Sequence, residues 1–495
     1  MKEKIAKEGV ITFFGGVVGV VMRFSSEVII ARIVSISEFG LYGLFINLVS
    51  VFHTLLSAGP RSVIQRYIPI LHNQGDWARI KKILIYAFLS IFILAPILIT
   101  ALLSQKEEVS GLVGNASLSE YILILAIAAP ILSMIYLIAD FFRATDKVKL
   151  FNVVQEIIPG VLYVLFIGVM YLFYSNSIFN IFIAYIASLL ASLLFGLLLL
   201  KRYPLRINEV KVCNKPHSGI LKHAFFSMLL YGLWIVKERV AIFIVSSEMT
   251  IEDVALYFVT LRFILSISLI RSALSSILMP RISKLYHSND METLQSTYAL
   301  VTRWMAIVIL PITIVISFYT NEIAAFLFGD EYGRISLYVF IVLFFQMLSL
   351  LTGSSSIFLQ MIGKPMDEML FQLASAIIIV IVCSVLTEEY GLVGASIGVF
   401  GIMWVIDVLK MLYIRHRIHI NPIQLKYWIY MKLLIVFWAA SYFVLVSFEQ
   451  VQELKVLMLA CVLVVVLSIQ YIVMVDAIER KWVNNSLREL WKNFR

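Results

Sequence analysis

Apolar stretches of about 20 residues recur along the whole length of this 495-residue chain. A helix rises ~1.5 Å per residue, so one such stretch is long enough to cross the ~30 Å hydrocarbon core of a bilayer. Charged residues make up 14% of the chain, whereas soluble globular proteins carry about 25%. The short alternating segments of a transmembrane barrel are absent from the sequence. The sequence therefore predicts an all-α polytopic membrane protein.

We predict about 14 transmembrane helices. They cover about residues 9–31, 39–59, 81–103, 120–142, 151–174, 178–200, 224–246, 254–279, 299–319, 335–360, 366–386, 391–413, 427–447 and 456–475. The first apolar stretch continues to about Val34 without a small-residue cleavage site, so we expect it to remain as a span. An even number of spans places both termini on the same side of the membrane.

The Lys and Arg residues of the connecting segments are distributed very unequally. Most fall at the N-terminus and in the segments 60–80, 143–150, 201–223, 280–298, 361–365, 414–426 and 476–495. The opposite set of connections carries only Arg32, Lys106, Arg334 and Lys455. Cytoplasmic loops are enriched in Lys and Arg, so we expect both termini in the cytoplasm and the chain in the cytoplasmic (inner) cell membrane. The same bias explains the net charge of +9 without a nucleic-acid partner.

Three pairs of segments resemble each other at a separation of about 215 residues, which indicates an internal repeat. They pair 37–45 with 251–259, 71–76 with 285–290, and 141–155 with 358–372. The domains predicted from this repeat are an N-lobe of six helices (1–200), a cytoplasmic linker (201–223), a C-lobe of six helices (224–414), and two helices with a basic cytoplasmic tail (415–495).

Because the two lobes begin on the same side of the membrane, a pseudo-two-fold axis along the membrane normal should relate them. Repeats of this kind place a substrate site at the interface between the halves and are typical of carriers that work by alternating access. Chance likeness among apolar helices is the alternative explanation of the repeat.

Residues 31–76 resemble the N-terminal signature of Wzx-type polysaccharide flippases, in the multidrug/oligosaccharidyl-lipid/polysaccharide exporter superfamily. The matching parts are Ala31-Arg32, Glu38-Phe39-Gly40-Leu41-Tyr42, Arg66-Tyr67 and Gly75-Asp76. The resemblance implies 12 or 14 helices in two lobes and the movement of a lipid-linked diphosphate oligosaccharide from the inner to the outer leaflet. It thus implies a transporter rather than an enzyme, with the lipid-linked oligosaccharide, the membrane and glycan-assembly proteins as partners.

Five cations lie inside the predicted spans, namely Arg23, Lys237, Arg239, Arg262 and Arg271. Each costs roughly 2.5–3.5 kcal/mol at mid-membrane on insertion scales, so such residues usually face a wet cavity or pair with an opposite charge. Arg binds phosphate oxygens bidentately and Lys acts as a point charge. We therefore expect a cation-lined path for a diphosphate head group. The alternative is structural ion pairing between helices. For Arg239 and Arg271, substrate binding and structural pairing are about equally supported.

The polar residue Asn47 occupies the position equivalent to Arg262 in the repeat and is added to the predicted substrate-binding residues. Three acids complete the set as coupling or charge-pairing groups. Glu27 lies four residues after Arg23, so the two side chains share a helix face and can pair. Glu156 precedes a Pro-Gly pair within its span and is a candidate for coupling to H⁺ or Na⁺. Glu238 is expected to neutralise a cation of a neighbouring helix.

Two further acids lie near predicted helix ends. Asp140 has Arg143 three residues on, and Asp407 has Lys410 three residues on. Residues three apart are neighbours on a helix surface, so we predict interfacial pairs for both.

No cofactor is predicted. The three cysteines, Cys213, Cys383 and Cys461, are scattered and indicate neither a disulfide framework nor a metal site. The sequence has no GxxxxGK[ST] phosphate-binding loop, which argues against direct ATP hydrolysis. Two other functions stay open: a cation-coupled exporter of small molecules in the same superfamily, and a membrane-embedded polymerase or glycosyltransferase. The short outer loops argue against both the polymerase and the glycosyltransferase.

Overall fold

The computed structural model describes residues 2–174, 177–202, 219–421, 425–447 and 452–474. Within these segments the chain is helical and contains no β-strand. The helices are α1 (Lys2–Ile33), α2 (Ile36–Asn73), α3 (Trp77–Ser104), α4 (Lys106–Leu112), α5 (Ile122–Ala144), α6 (Val148–Asn152), α7 (Ile158–Phe173), α8 (Ile178–Arg202), α9 (Ile220–Glu248), α10 (Ile251–Arg262), α11 (Ile264–His287), α12 (Met291–Phe318), α13 (Thr320–Phe328), α14 (Ser336–Leu350), α15 (Ser355–Met361), α16 (Pro365–Ser396), α17 (Ile402–Ile418), α18 (Leu425–Ser447) and α19 (Gln452–Ile469). The all-α membrane fold predicted from the sequence is confirmed.

Nine helices of the described segments are long and apolar enough to span a membrane, or ten if the bent pair α14 and α15 counts as one span. The predicted count of 14 is therefore not established. The predicted span 254–279 is divided into α10 and α11 by a break at Phe263. Conversely, α16 joins two predicted spans across non-helical backbone at Gly391, which has a φ of 58°. Glycine reaches this conformation without a Cβ clash.

The described chain forms two compact units. The first unit contains the described residues within 1–259, 327–331 and 383–395, and the second contains those within 260–326, 332–382 and 396–495. Most of the predicted linker 201–223 and the tail 476–495 lie outside the described residues, as does Cys213. The domain boundaries derived from the repeat stay a prediction.

Helix α2 is the centre of the first unit. It packs along α5 and α9 and buries large side chains such as Phe39, Phe45 and Ile64 completely. Glycines allow close approach of its backbone to other helices: a Cβ added at Gly59 would lie 3.2 Å from the carbonyl oxygen of Ala224 at the start of α9.

Several residues of the sequence signature have structural roles around α2. Ser35 and Glu38 form a capping box at its N-terminus, and Glu38 Oε1 also accepts a hydrogen bond from the Ile178 backbone N–H at 3.3 Å. Gly40 lies so close to the Ile251 carbonyl that any Cβ would overlap it. After α2, Gly75 takes a φ of 70°, and the Asp76 carboxylate caps α3 by accepting from the Arg79 backbone N–H.

The same capping arrangement recurs at the start of α10. The Thr250 hydroxyl donates to Asp253 Oδ2 at 2.6 Å, and the Asp253 backbone N–H donates back to the Thr250 hydroxyl oxygen. Ser35 and Glu38 make the equivalent bonds. These positions are separated by the offset of 215 residues at which the sequences of α2 and α10 resemble each other, so the two helices begin with equivalent local structure.

The last two helices, α18 and α19, pack within the second unit. The ring of Tyr442 stacks on Phe340 of α14 with centroids 3.9 Å apart. The indole N–H of Trp438 donates to the Ser317 hydroxyl of α12 at 2.8 Å. A separate apolar cluster of this unit is built on α11, α12 and α15 and includes Leu278, Tyr298 and Phe358.

Candidate functional site

The first cluster of predicted site residues lies where α1 meets the turn between α6 and α7. Nη1 of Arg23 lies 2.8 Å from Oε2 of Glu156, and the two side chains are 50% and 11% exposed. Arg23 thus pairs with Glu156, 133 residues away, and Glu27 is buried and lies within electrostatic range of Arg23. The predicted role of Glu27 as a charge-pairing group stays a prediction.

Glycines on one face of α1 bring the two segments together. Gly15, Gly19 and Arg23 follow at intervals of four residues, which places them on the same helix face. A Cβ added at Gly15 would overlap Asn152, and one added at Gly19 would overlap Glu156 and lie 2.7 Å from its Oε2. The close approach of α1 therefore depends on the absence of side chains at these two positions.

Glu156 itself lies in a π-helical turn, Val153–Ile157. Pro159 follows at the beginning of α7. Because proline has no backbone N–H, it cannot continue the hydrogen-bond ladder to the carbonyl four residues earlier. Single π-helical turns occur frequently at functional sites. Here the turn directs Glu156 toward α1. A Cβ added at Gly160 would lie only 2.7 Å from the Cβ of Met22 on α1.

Aromatic and charged side chains of other helices surround this pair. Tyr136 of α5 and Tyr185 of α8 lie within electrostatic range of Arg23. The guanidinium of Arg61 lies over the Tyr136 ring, 4.6 Å from its centroid. A continuous polar region thus leads from Glu156 through Arg23 and Tyr136 to Arg61.

Arg61 is held by a second, deeply buried pair. Its Nε lies 2.6 Å from Oδ2 of Asp140, and Nε2 of Gln65 donates to Oδ1 at 3.0 Å. The predicted pairing of Asp140 with Arg143 is wrong, because Asp140 points into the bundle toward α2. Arg61 falls in the predicted connecting segment 60–80, whereas α2 continues to Asn73. Only an extension of the predicted helix 39–59 through Pro60 would have placed Arg61 inside the helix bundle.

A third contact joins two predicted substrate residues. Nη1 of Arg239 on α9 donates to Oδ1 of Asn47 on α2 at 2.8 Å, and Asn47 Nδ2 donates to the Gly43 carbonyl at 2.7 Å. Asn47 is almost completely buried. Within the triplet, Lys237 and Arg239 are half-buried and Glu238 is exposed. Successive side chains on a helix lie about 100° apart, so α9 presents the three charges to different surroundings.

The remaining predicted cations belong to the second unit. Arg262 is the last residue of α10, beside the break at Phe263. Arg271 Nη1 lies 3.5 Å from Ser349 Oγ, and this hydroxyl donates to Asp407 Oδ2 at 2.5 Å. The predicted pairing of Asp407 with Lys410 is wrong. Lys410 Nζ lies 3.0 Å from Glu368 Oε1, and both side chains are almost fully buried.

Three contacts among the described residues include predicted site residues. Arg23 meets Glu156, with Glu27 nearby; Arg239 meets Asn47; and Arg271 reaches Asp407 through Ser349. Among the described residues, no three His, Cys, Asp or Glu side chains are placed to hold a metal ion. The expectation of no cofactor stays a prediction.

The helix ends predicted to face outside are tied together within the first unit. We call this set of contacts the outer seal. Ser37 Oγ donates to Glu252 Oε1 at 3.2 Å, and Arg32 Nε donates to the Leu327 carbonyl at 2.9 Å. The Phe39 ring contacts those of Phe258 and Phe328, with centroids 5.6 and 6.3 Å apart. The seal joins the start of α2 to the start of α10 and to the end of α13.

Comparison with known proteins gives consistent results. The family described as "Polysaccharide biosynthesis protein" matches residues 29–337. A protein of Shigella flexneri named "Putative O-antigen transporter" is 24% identical over 433 residues, which are 83% of this chain and 98% of that protein.

Two solved structures share the fold. The lipid II flippase MurJ in an inward closed conformation has a TM-score of 0.69 at 15% identity, covering 94% of this chain and 99% of MurJ. An inward-facing multidrug resistance transporter of the MATE family, in the MOP superfamily, has a TM-score of 0.67 at 17% identity, covering 81% of this chain and 94% of that one. The family match covers more than half of the chain and shows that the chain belongs to the polysaccharide biosynthesis protein family.

Proposed function

We propose that this protein moves a lipid-linked diphosphate oligosaccharide from the inner to the outer leaflet of the cytoplasmic membrane by alternating access. It acts as a transporter and not as an enzyme, and both termini face the cytoplasm. The observation that carries the proposal is the cationic side chain of Arg23 in helix α1, which is half-exposed although it pairs with Glu156. A charge kept accessible within a span is a functional-site hypothesis by default, and a guanidinium fits phosphate oxygens in pairs.

The other predicted residues are proposed in supporting roles. Lys237, Arg239, Arg262, Arg271 and Asn47 are proposed as further contacts for the head group along its path. Glu27 and Glu238 are proposed as charge-pairing groups. Glycan-assembly proteins are proposed as partners. The name of the Shigella relative and the lipid II flippase fold support a substrate of this class.

The central test replaces Arg23. In Arg23→Ala and Arg23→Gln, surface polysaccharide should fall at least tenfold at unchanged protein level, while Arg23→Lys should retain part of it. Arg79→Ala is the matched control, because it removes a partly exposed pair with Asp76, at 3.1 Å, at the start of α3. Normal surface polysaccharide in both Arg23 variants would overturn the proposed role of this cation.

A deletion strain separates the alternative functions. Loss of a flippase should leave lipid-linked oligosaccharide in the cytoplasmic leaflet, inaccessible to a membrane-impermeant glycosidase in intact spheroplasts. Accumulation of single repeat units in the outer leaflet would indicate a polymerase instead. Normal polysaccharide combined with loss of drug resistance would indicate the exporter.

The outer seal supports alternating access, because a carrier that opens outward must separate these helix ends. Cysteines at Ser37 and Glu252, in a chain whose three native cysteines are replaced, can be joined by a short cleavable thiol cross-linker. Cross-linking should stop flipping in reconstituted vesicles, and cleavage should restore it. Each single-cysteine variant treated alike is the control. Full activity of the cross-linked protein would contradict opening at this place.

A further inference from the structure

A short segment, residues 327–331, belongs to the first unit although the residues on both sides of it in the chain belong to the second. We call this segment the plug. It contains the end of α13 and the beginning of a 3₁₀ turn, Asp330–Tyr332. Because the plug is only five residues long, the contacts that hold it in the first unit can be examined one by one.

Phe328 is the one buried residue of the plug. It is 1% exposed, whereas Phe326, two residues earlier on α13, is 78% exposed. The Phe328 ring meets that of Phe24 on α1 edge to face, with centroids 5.8 Å apart, and lies 6.3 Å from that of Phe39 on α2. Aromatic pairs of this kind stabilise a contact beyond the area that they bury. Phe24 directly follows Arg23 in the chain, so the plug reaches the residue next to the proposed substrate cation.

The main chain of the plug is held by Arg32. Its Nε donates to the Leu327 carbonyl at 2.9 Å, and Leu327 is the next-to-last residue of α13. The last four carbonyls of a helix have no partner within the helix and form the negative end of its dipole. A guanidinium satisfies both the hydrogen bond and the charge at this end. The contact gives a structural role to Arg32, a residue of the sequence signature.

The chain turns sharply after the buried ring. Gly329 has a φ of 124°, a conformation that is open to glycine because it has no Cβ. The next two residues, Asp330 and Glu331, are exposed. The plug therefore inserts one ring and returns to the surface within three residues, so its withdrawal does not require a helix of the first unit to unfold.

We propose that the plug closes the outer end of the substrate path, with Phe328 as the closing side chain and Arg32 as the residue that holds it in place. While Arg32 binds the Leu327 carbonyl, the ring stays against Phe24 and Phe39 and the outer seal is closed. Withdrawal of the ring frees these two side chains and allows the helix ends to separate. The inference rests on the proposed function, since it assumes that the substrate leaves at this end.

The test measures how readily the outer seal closes in the full-length protein. Ser37→Cys and Glu252→Cys, in a chain whose native cysteines are replaced, are joined in membranes by a short thiol cross-linker, and the initial rate of cross-linking follows the closed fraction. Adding Arg32→Ala or Phe328→Ala should lower this rate at least threefold. Phe326→Ala is the matched control, because it removes an exposed ring from the same helix, and it should leave the rate unchanged.

Conservative variants keep the test decisive if Phe328→Ala fails to fold, which thermal unfolding would show. Arg32→Lys should retain part of the cross-linking rate, because an ammonium group also donates to a carbonyl. Phe328→Leu keeps an apolar side chain but not the aromatic edge, so its rate should lie between those of the wild type and Phe328→Ala.

The outcomes separate the plug from the proposed function. Wild-type cross-linking rates in Arg32→Ala and in both Phe328 variants would overturn the plug, whether or not the protein is a flippase. A fall for only one of the two residues would overturn the role of the other. If the rates fall as expected but the cross-linked protein still flips lipid-linked oligosaccharide at full rate, Phe328 closes this end and the proposed exit of the substrate is wrong.

Discussion

The Nε atom of Arg61 lies 2.6 Å from Oδ2 of Asp140, a carboxylate whose side chain is completely buried. Gln65 donates to the other oxygen, and the Tyr136 ring lies beneath the guanidinium. The pair connects α2 to α5, the two helices that contribute most of the core of the first unit. It is therefore placed to hold this unit together beside the proposed substrate arginine.

We expect Asp140→Ala to destabilise the protein by about 3–5 kcal/mol, because the mostly buried guanidinium of Arg61 loses its counter-ion. Thermal unfolding of the full-length protein in detergent measures the change. Glu108→Ala, at an exposed position of α4, should stay within about 0.5 kcal/mol of the wild type. An equally small effect of Asp140→Ala would show that the buried pair contributes little.

Gly19 and Gly16 provide a matched pair of substitutions on α1. A Cβ at Gly19 would overlap Glu156, whereas a Cβ at Gly16 has no heavy atom within 4 Å. Gly19→Ala should cost about 1–3 kcal/mol through overpacking and should lower surface polysaccharide by separating Arg23 from Glu156. Gly16→Ala should be neutral or stabilising by up to about 1 kcal/mol, because alanine is the better helix former. Equal losses in both variants would exclude the overlap as the cause.

Local patterns in the sequence are sufficient to predict much of this fold. The apolar stretches predicted the helices, and the similarity of 37–45 to 251–259 corresponds to two helices with equivalent capping boxes. Both depend on residues within a few positions of each other. Capping and helical periodicity are local properties, so one sequence is enough to find them.

The partners of the buried charges could not be predicted in the same way. Asp140 is bound by a residue 79 positions away and Lys410 by one 42 positions away, although each has an opposite charge three positions away. At a water-facing surface the near neighbour is an adequate partner, but a buried charge requires one that is also buried. Which distant side chain is available depends on how the helices pack, and helical periodicity does not contain that information.

Lys410 and Glu368 allow a direct measurement of a buried pair in the second unit. Lys410 Nζ lies 3.0 Å from Glu368 Oε1 and 2.8 Å from Ser356 Oγ. Lys410→Met and Glu368→Leu should each cost about 3–5 kcal/mol, because each leaves one buried charge unpaired. The double variant should cost clearly less than the sum of the two. Thermal unfolding of the four proteins completes the cycle, and strict additivity would show that the two charges are not coupled.

A contact of the first unit is expected to depend on pH. Arg66 Nη1 donates to Nδ1 of His223 at 3.0 Å, and the His223 ring lies edge-on to that of Tyr67. His223 precedes the predicted span 224–246. Partial burial and the nearby positive charge of Arg66 lower the pKa of His223 from its ordinary value of 6.5, while a hydrogen bond to the Ser62 backbone opposes the shift. Neutral His223 is therefore the form that joins α2 to α9.

Because this pKa is lower in the folded protein, the unfolded chain binds more protons between the two values, and stability rises with pH across that window. The contact should be at full strength above about pH 6.5 and should weaken as the pH falls below that value. His223→Asn, which offers a neutral acceptor at all pH values, should remove this part of the dependence. Melting temperatures of the wild type and the variant between pH 5 and pH 8 provide the measurement. Parallel profiles for the two proteins would show that His223 does not control the contact.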